Sequence, residues 1–148
     1  MADFTKAYNR TGGNEGLWSD VPGDKGGETW KGIARKIHPK WDGWAIVDFV
    51  KSQIQFPANP VKADIDKLND LLVRNEKLEL CVRKFYKAIF WDVMRGDEIL
   101  MQPVAESIYD SGVNMGPGQA IKLAQRALKI KETGKMDDAT LNKVNNKK

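Results

Sequence analysis

The sequence predicts a mainly helical fold with a small β element near its N-terminus. Apolar residues recur at helical spacing from residue 33 almost to the C-terminus. Residues 12–32 differ, because they hold seven glycines and one proline in 21 positions, a density that prevents a helix. The chain has 148 residues, of which 41% are hydrophobic and 30% charged, and this composition fits one domain with a buried core.

The first elements are a short helix and a glycine-rich loop. Residues 3–11 place Phe4, Ala7 and Tyr8 on one helical face. Residues 12–32 favour turns and a small β-hairpin, with polar side chains beside exposed backbone. Loops of this kind often carry function.

Helices follow in the middle of the chain. The first reaches about Gln53, and residues 56–60, which contain two prolines, end it. Asp64 is expected to be the N-cap of the next helix, and a long amphipathic helix spans residues 76–94. The shared face of the first of these helices is expected to consist of Trp41, Trp44, Ala45 and Phe49.

Two prolines and an aspartate mark the last three helices. Proline suits the first helical turn, where its missing N–H has no partner to lose. Pro103 and Pro117 therefore predict helices over residues 103–115 and 117–129. Asp137 is expected to cap a final short helix.

Composition excludes several classes of chemistry. With one cysteine, Cys81, and one histidine, His38, the chain cannot form an internal disulfide, a four-ligand Cys/His zinc site or an oriented Cys–His dyad. Reactive groups must therefore be carboxylates, hydroxyls or amides, and we expect no cofactor and no metal. The net charge of +4 and the pI near 9.1 favour an anionic partner. The basic residues are scattered and not interleaved with aromatic residues, which argues against nucleic acid.

The sequence predicts neither a membrane span nor a secretory signal. It has no apolar run near the roughly 18 residues that a membrane span requires. Its first residues offer neither the basic start nor the apolar block of a secretory signal. We therefore expect synthesis in the cytoplasm, so that any action outside the membrane requires a separate route of release.

Residues 15–33, EGLWSDVPGDKGGETWKGI, carry the chemistry of the chain. Glycoside hydrolysis needs a carboxylic acid that protonates the leaving oxygen and usually a second, ionised carboxylate. Glu15, close to a helix end and near Leu17 and Trp18, suits the protonated partner, whereas Asp20 and Asp24 lie among turn residues that keep a carboxylate charged. Trp18 and Trp30 are candidates for stacking on sugar rings. An acidic loop without a catalytic role is the alternative, since turns are commonly rich in Asp and Gly.

The same segment resembles the N-terminal signature of glycoside hydrolase family 108. This family comprises bacterial and phage N-acetylmuramidases, some of them described as secretion activator proteins. Two positions depart from the pattern: Leu17 replaces the family's second glycine and Lys25 its proline, and neither change removes a titratable group. The matching residues are Glu15-Gly16, Trp18, Asp20, Pro22, Asp24, Gly26-Gly27-Glu28-Thr29 and Gly32-Ile33.

The resemblance continues through the rest of the chain. Residues 86–91 are similar to an aromatic helix motif of the family, and residues 110–116 and 134–141 to its C-terminal peptidoglycan-binding region. It implies a lysozyme-like α+β fold in one compact unit. Within that unit, residues 1–98 would form the catalytic region and residues 99–148 a helical peptidoglycan-binding region.

The resemblance also implies roles for individual residues. Glu15, Asp24 and Thr29 are similar to a constellation of phage-type lysozymes, in which a Glu is followed by an Asp and then a Thr. Glu15 would protonate the glycosidic oxygen. Asp24 would orient water or stabilise positive charge, and Thr29 would hold the water or the acid. Substrate contacts are expected from Trp18, Asp20, Trp30 and Asn114.

These inferences predict an N-acetylmuramidase that cleaves the β-1,4 bond between N-acetylmuramic acid and N-acetylglucosamine. Its partners would be the glycan strands of peptidoglycan, reached at the cell wall after release through a holin or an export system. Two alternatives stay open. A lytic transglycosylase would use the same acid and leave 1,6-anhydro ends, and a non-catalytic module would bind the wall without cutting it.

Overall fold

The computed structural model describes residues 1–11, 16–20 and 27–146, and helices dominate these ranges. They are α1 (Phe4–Thr11), α2 (Gly43–Gln53), α3 (Lys62–Val73), α4 (Glu76–Tyr86), α5 (Gln102–Met115), α6 (Pro117–Ala127) and α7 (Asp138–Asn146). The strands β1 (Ser19–Asp20), β2 (Glu28–Trp30) and β3 (Ile33–Ala34) form an antiparallel sheet in that order. This architecture confirms the predicted class, mainly α with a small β element near the N-terminus. In the ranges described, every helix is too short or too polar to cross a bilayer.

Local sequence signals account for the buried face of α1 and for the starts of α5, α6 and α7. In α1 the predicted face, Phe4, Ala7 and Tyr8, is buried. Helices α5 and α6 begin with a proline in the first turn, as predicted. The Thr140 backbone N–H donates to Asp137 Oδ1 at 2.8 Å, which confirms that Asp137 caps α7.

The expected start of α3 was wrong by three residues. The helix begins at Lys62, so Asp64 lies inside its first turn and is not the N-cap. Its Oδ2 accepts a hydrogen bond from the Val61 backbone N–H at 3.0 Å. An acidic side chain is favourable at either position, because both face the unpaired N–H groups of a helix start.

The expected face of α2 was also partly wrong. Trp44 and Val47 are buried, whereas Ala45 is exposed and Phe49 is 61% exposed. Trp41 precedes the first residue of the helix, so it does not follow the helical spacing that was used to predict the buried face.

The long helix expected over residues 76–94 is interrupted. Helix α4 ends at Tyr86 and continues as a π-helical turn over Lys87–Trp91. Arg95 then adopts a left-handed conformation with φ of 56°, which ends the helical run before a short 3-10 turn over Gly96–Glu98.

The chain divides into two compact units. The first comprises Met1–Gly12 and Tyr86–Lys148. Three aromatic rings form its centre: Phe4 lies 5.7 Å from Trp91 and 5.8 Å from Tyr109, and the latter two rings are 5.9 Å apart. All three contacts are edge-to-face, the arrangement favoured by aromatic quadrupoles.

A buried glutamine organises the end of the first unit. Gln125 is fully buried. Its Nε2 donates to Thr140 Oγ1 at 3.0 Å and to Thr133 Oγ1 at 2.9 Å, and its Oε1 accepts the Gly134 N–H at 3.0 Å. Because each polar atom of the amide has a partner, the residue ties α6 to α7 without an unpaired buried group.

The second unit comprises Gly13–Phe85 and contains the sheet with α2, α3 and most of α4. Its fully or almost fully buried side chains include Trp30, Ile33, Trp44, Val47, Leu68, Leu72, Leu78 and Val82. The predicted functional division between residues 1–98 and 99–148 stays a prediction.

Candidate functional site

The side chains of β2, the middle strand of the small sheet, point to two opposite faces. Ser19 and Asp20 of β1 pair with Thr29 and Glu28 of β2. Side chains alternate along a strand, so Glu28 and Trp30 share one face of β2 and Thr29 points to the other. Trp30 is 1% exposed, which identifies the Glu28 face as the inward one.

A two-residue turn sets the angle between β2 and β3. Lys31 and Gly32 both have positive φ, 47° and 81°. Two successive residues in this region are typical of the tight hairpin turns whose twist matches that of paired strands. Glycine adopts this conformation without strain, which explains its place in the Lys-Gly pair.

A groove of about 690 Å³ runs along β1 within the second unit. Its volume lies in the range typical of small-ligand sites, and its lining mixes apolar and polar groups. The lining residues are Trp18, Ser19, Asp20, Lys51, Phe56, Pro57, Ala58, Asn59, Pro60 and Ile65. The proline-containing stretch that ends α2 thus forms one wall of the groove.

Trp18 forms part of the groove wall and is held at two points. Its backbone N–H donates to Asn69 Oδ1 at 2.9 Å, and its Nε1–H donates to Glu28 Oε2 at 2.8 Å. Its ring meets Phe56 edge-to-face at 5.2 Å, and the Lys51 ammonium lies 5.0 Å from the ring centroid. The indole is fixed in position and is only 7% exposed.

Glu28 is the acceptor at the centre of these contacts, and its side chain is 12% exposed. Its Oε2 accepts from Lys51 Nζ and Trp18 Nε1, and its Oε1 accepts from Arg35 Nη1 at 3.1 Å. Burial raises the pKa of Glu28, but the hydrogen bonds from Lys51, Trp18 and Arg35 outweigh it, so its pKa lies below the ordinary value. Glu28 is therefore held as a carboxylate.

Arg35 links this carboxylate to a second one. Its Nη1 and Nη2 donate to Asp48 Oδ1 and Oδ2 at 2.7 and 2.6 Å, a bidentate pair. Asp48, as the acceptor of both hydrogen bonds, raises the pKa of Arg35, and donation by Arg35 lowers the pKa of Asp48. Together with Lys51 and Glu28 these residues form a cluster of two cations and two anions.

The predicted catalytic residues are only partly described. Glu15 and Asp24 lie outside the described residues, and their roles stay predictions. Thr29 is half-buried in β2, on the face opposite Glu28. Among the residues that the structure describes, no group of three or more His, Cys, Asp or Glu side chains could hold a metal ion.

The predicted substrate contacts differ in exposure. Asp20 is exposed and lines the groove. Trp30 is 1% exposed, so the expected stacking on a sugar does not fit this geometry, because both ring faces are covered. Trp18 contributes to the groove wall but has no open ring face. Asn114 is exposed in the last turn of α5, in the first unit, and its role stays a prediction.

Sequence reasoning assigned no role to Glu28, although the residue lies within the chemical segment. Its donors are 10, 7 and 23 positions away in the chain, and no local pattern points to them. One signal was available: strand alternation places Glu28 on the same side as Trp30, a large aromatic residue that strands usually bury.

Comparisons with known proteins found a family match and a structure of similar fold. The model of the family described as Glycosyl hydrolase 108 matches residues 8–116. A solved structure of Brucella abortus SagA is similar in fold, with a TM-score of 0.61 and 23% sequence identity, covering 98% of this chain and 70% of that chain. No curated protein matches the sequence. Residues from 117 onward lie beyond the family match.

Proposed function

This chain belongs to the glycosyl hydrolase 108 family, since the family model matches well over half of it, and on that premise we propose that it is a peptidoglycan hydrolase. The bond cleaved would be the β-1,4 linkage between N-acetylmuramic acid and N-acetylglucosamine. Glu15 would be the general acid. The observation that carries this proposal is the groove along β1, the strand that follows Glu15 closely in the chain.

The groove supports a sugar ligand by its chemistry. Its lining combines the apolar surfaces of Phe56 and Pro57 with the exposed carboxylate of Asp20 and the amide of Asn59. Sugars present apolar ring faces and hydroxyl groups, so they require both kinds of contact. Pockets of this size commonly combine an apolar lining with a few polar groups that fix orientation.

The proposed mechanism needs two carboxyl groups in unlike surroundings. Glu15 would protonate the glycosidic oxygen as the bond breaks. Asp24 would orient the attacking water or stabilise the positive charge that develops on the sugar, and Thr29 would hold that water or the acid. Asp20, at the groove, would bind hydroxyl groups of the strand.

The test uses purified sacculi and mass spectrometry of the released muropeptides. Wild-type protein is expected to release fragments with free reducing ends. Glu15→Gln keeps the size of the side chain but cannot donate the proton, so the rate should fall by about 10²–10⁴-fold. Glu76→Gln, an exposed residue in the first turn of α4, is the matched control and should leave the rate unchanged.

Each of the other outcomes would change the proposal in a different way. Fragments ending in 1,6-anhydro groups would indicate a lytic transglycosylase. Binding to sacculi without any released fragment would indicate a wall-binding module. Full activity in Glu15→Gln would contradict the assignment of the acid.

Two further expectations belong to this proposal. Residues 99–148 would bind the wall, which a pull-down of the chain with and without substitutions in this range would test. The enzyme would act at the cell wall after release through a holin or an export system. Lysis that requires co-expression of such a partner would support this route, and lysis without one would contradict it.

A further inference from the structure

One carboxylate joins three separate segments of the second unit. The donors to Glu28 are Trp18 just before β1, Arg35 just after β3 and Lys51 in α2. Two of these donors, Trp18 and Lys51, also line the groove. Removing this acceptor would therefore release groove-lining residues from two different elements at once.

The bond to Trp18 fixes the chain close to the proposed acid. Gly16 has a φ of 96°, a conformation that glycine adopts without strain, and no atom lies within 4 Å of the position of a Cβ. Trp18, two residues later, is anchored by its backbone N–H and by its indole. Glu15 is three residues before Trp18 in the sequence, so the anchored residue is a close chain neighbour of the proposed acid.

We propose that Glu28 is a positioning residue for the proposed hydrolysis, because its carboxylate holds Trp18 and Lys51 in place as the wall of the substrate groove. This inference rests on the proposed function. Glu28 does not itself serve as the acid or the nucleophile. Three donors already occupy its two oxygens, and the group is only 12% exposed.

The surroundings of Glu28 are the opposite of those required by a general acid. A general acid keeps its proton near the working pH in a desolvated site without cations. Glu28 faces two cations and one indole N–H, all of which favour the charged form. A carboxylate in this setting serves best as a fixed anchor whose charge orders its neighbours.

The test compares two Glu→Gln substitutions in the same unit. Glu28→Gln removes the charge that pairs with Lys51, which lines the groove. Glu79→Gln is the matched control, because Glu79 also accepts from two cations, Lys31 at 2.9 Å and Arg83 at 3.1 Å, and neither of these cations lines the groove. Turnover on sacculi at saturating concentration and binding to sacculi are measured separately for both.

Turnover is expected to fall about ten- to hundredfold in Glu28→Gln, with sacculus binding changed by less than about twofold, because misplacement of the reacting groups affects the rate more than affinity. Glu79→Gln should keep wild-type turnover. Equal turnover in the two variants would overturn the positioning role. A wild-type protein that releases no fragments would instead refute the proposed function, so the two failures are distinct.

A second variant removes the bond from the other side. Trp18→Phe keeps a ring against Phe56 but deletes the Nε1–H donor, and it leaves the pairing of Glu28 with Lys51 and Arg35 intact. If Glu28 acts through Trp18, the double variant Glu28→Gln/Trp18→Phe should lose less turnover than the product of the losses in the two single variants. Full activity in a folded Trp18→Phe protein would overturn the inference, and this test holds even if Glu28→Gln does not fold. A loss in the Glu28→Gln/Trp18→Phe double variant that equals the product of the two single losses would also overturn it.

Discussion

The charge of Glu28 should stabilise the second unit by an amount that thermal unfolding can measure. Glu28→Gln removes the charge paired with Lys51 and weakens the bond from Trp18, which the carboxylate accepts at the same oxygen. Arg35 keeps its bidentate pair with Asp48, so Lys51 bears most of the loss. A hydrogen bond to a charged group contributes about 1.5–3 kcal/mol. For a chain of this length that corresponds to a lowering of Tm by about 3–12 °C at pH 7.

The pH dependence of this effect follows from the direction of the pKa shift. Burial raises the pKa of Glu28, but the hydrogen bonds from Lys51, Trp18 and Arg35 lower it by more, so the pKa lies below the ordinary value. Between the folded and unfolded pKa values the unfolded chain holds more protons. The stabilisation by Glu28 is therefore complete above its unfolded pKa of about 4.3 and is lost as the pH falls through the folded pKa.

The assay is circular dichroism melting of wild type and Glu28→Gln from pH 7 down to about pH 2.5, a range that brackets the ordinary carboxyl pKa. Every other titrating group is common to both proteins, so the difference in Tm isolates Glu28. We expect this difference to be largest above pH 5 and to shrink below pH 4, windows set by the unfolded pKa. A difference that stays constant across the whole range would refute the reasoning, because it would arise from packing and not from charge.

Three further substitutions test the packing and capping. Gly96→Ala should cost about 1–3 kcal/mol or more in unfolding free energy, since a Cβ there would overlap the fully buried ring of Trp91. Gly118→Ala meets open space in α6 and should raise the unfolding free energy by about 0.5–1 kcal/mol. Asn75→Ala should lower it by about 1 kcal/mol, because Asn75 Oδ1 accepts the Leu78 N–H at 2.9 Å at the start of α4. Urea unfolding of each variant measures these changes, and a result of opposite sign would contradict the geometry concerned.

The features that the sequence predicted correctly depend on nearby residues. The buried face of α1 follows from the spacing of three side chains within one and a half turns. Pro103 and Pro117 restrict their own backbone, and Asp137 caps α7 through a group three residues away. Each signal operates within a few positions, so periodicity and residue type suffice to find it.

The features that the sequence failed to predict depend on tertiary contacts. Trp30 follows a glycine-rich loop and was expected to be available to a sugar, yet it is 1% exposed. Burial of that ring depends on its tertiary surroundings, which the composition of the loop does not record. Glu28 was overlooked for the same reason, since Lys51 is 23 positions away and its approach depends on how α2 packs on the sheet.

The geometry narrows the choice of a general acid within residues 15–33. Glu28 is excluded by its two cations, which hold it as a carboxylate. Asp20 is exposed, whereas an acid that keeps its proton needs a desolvated site. Glu15 and Asp24 are the remaining acidic residues of the segment. If Glu15 is the acid, Glu15→Gln should lose activity on sacculi but retain activity on an aryl glycoside whose leaving group needs little protonation, whereas Asp24→Asn should lose activity on both substrates. Retention of aryl-glycoside activity in Asp24→Asn together with its loss in Glu15→Gln would transfer the acid role to Asp24.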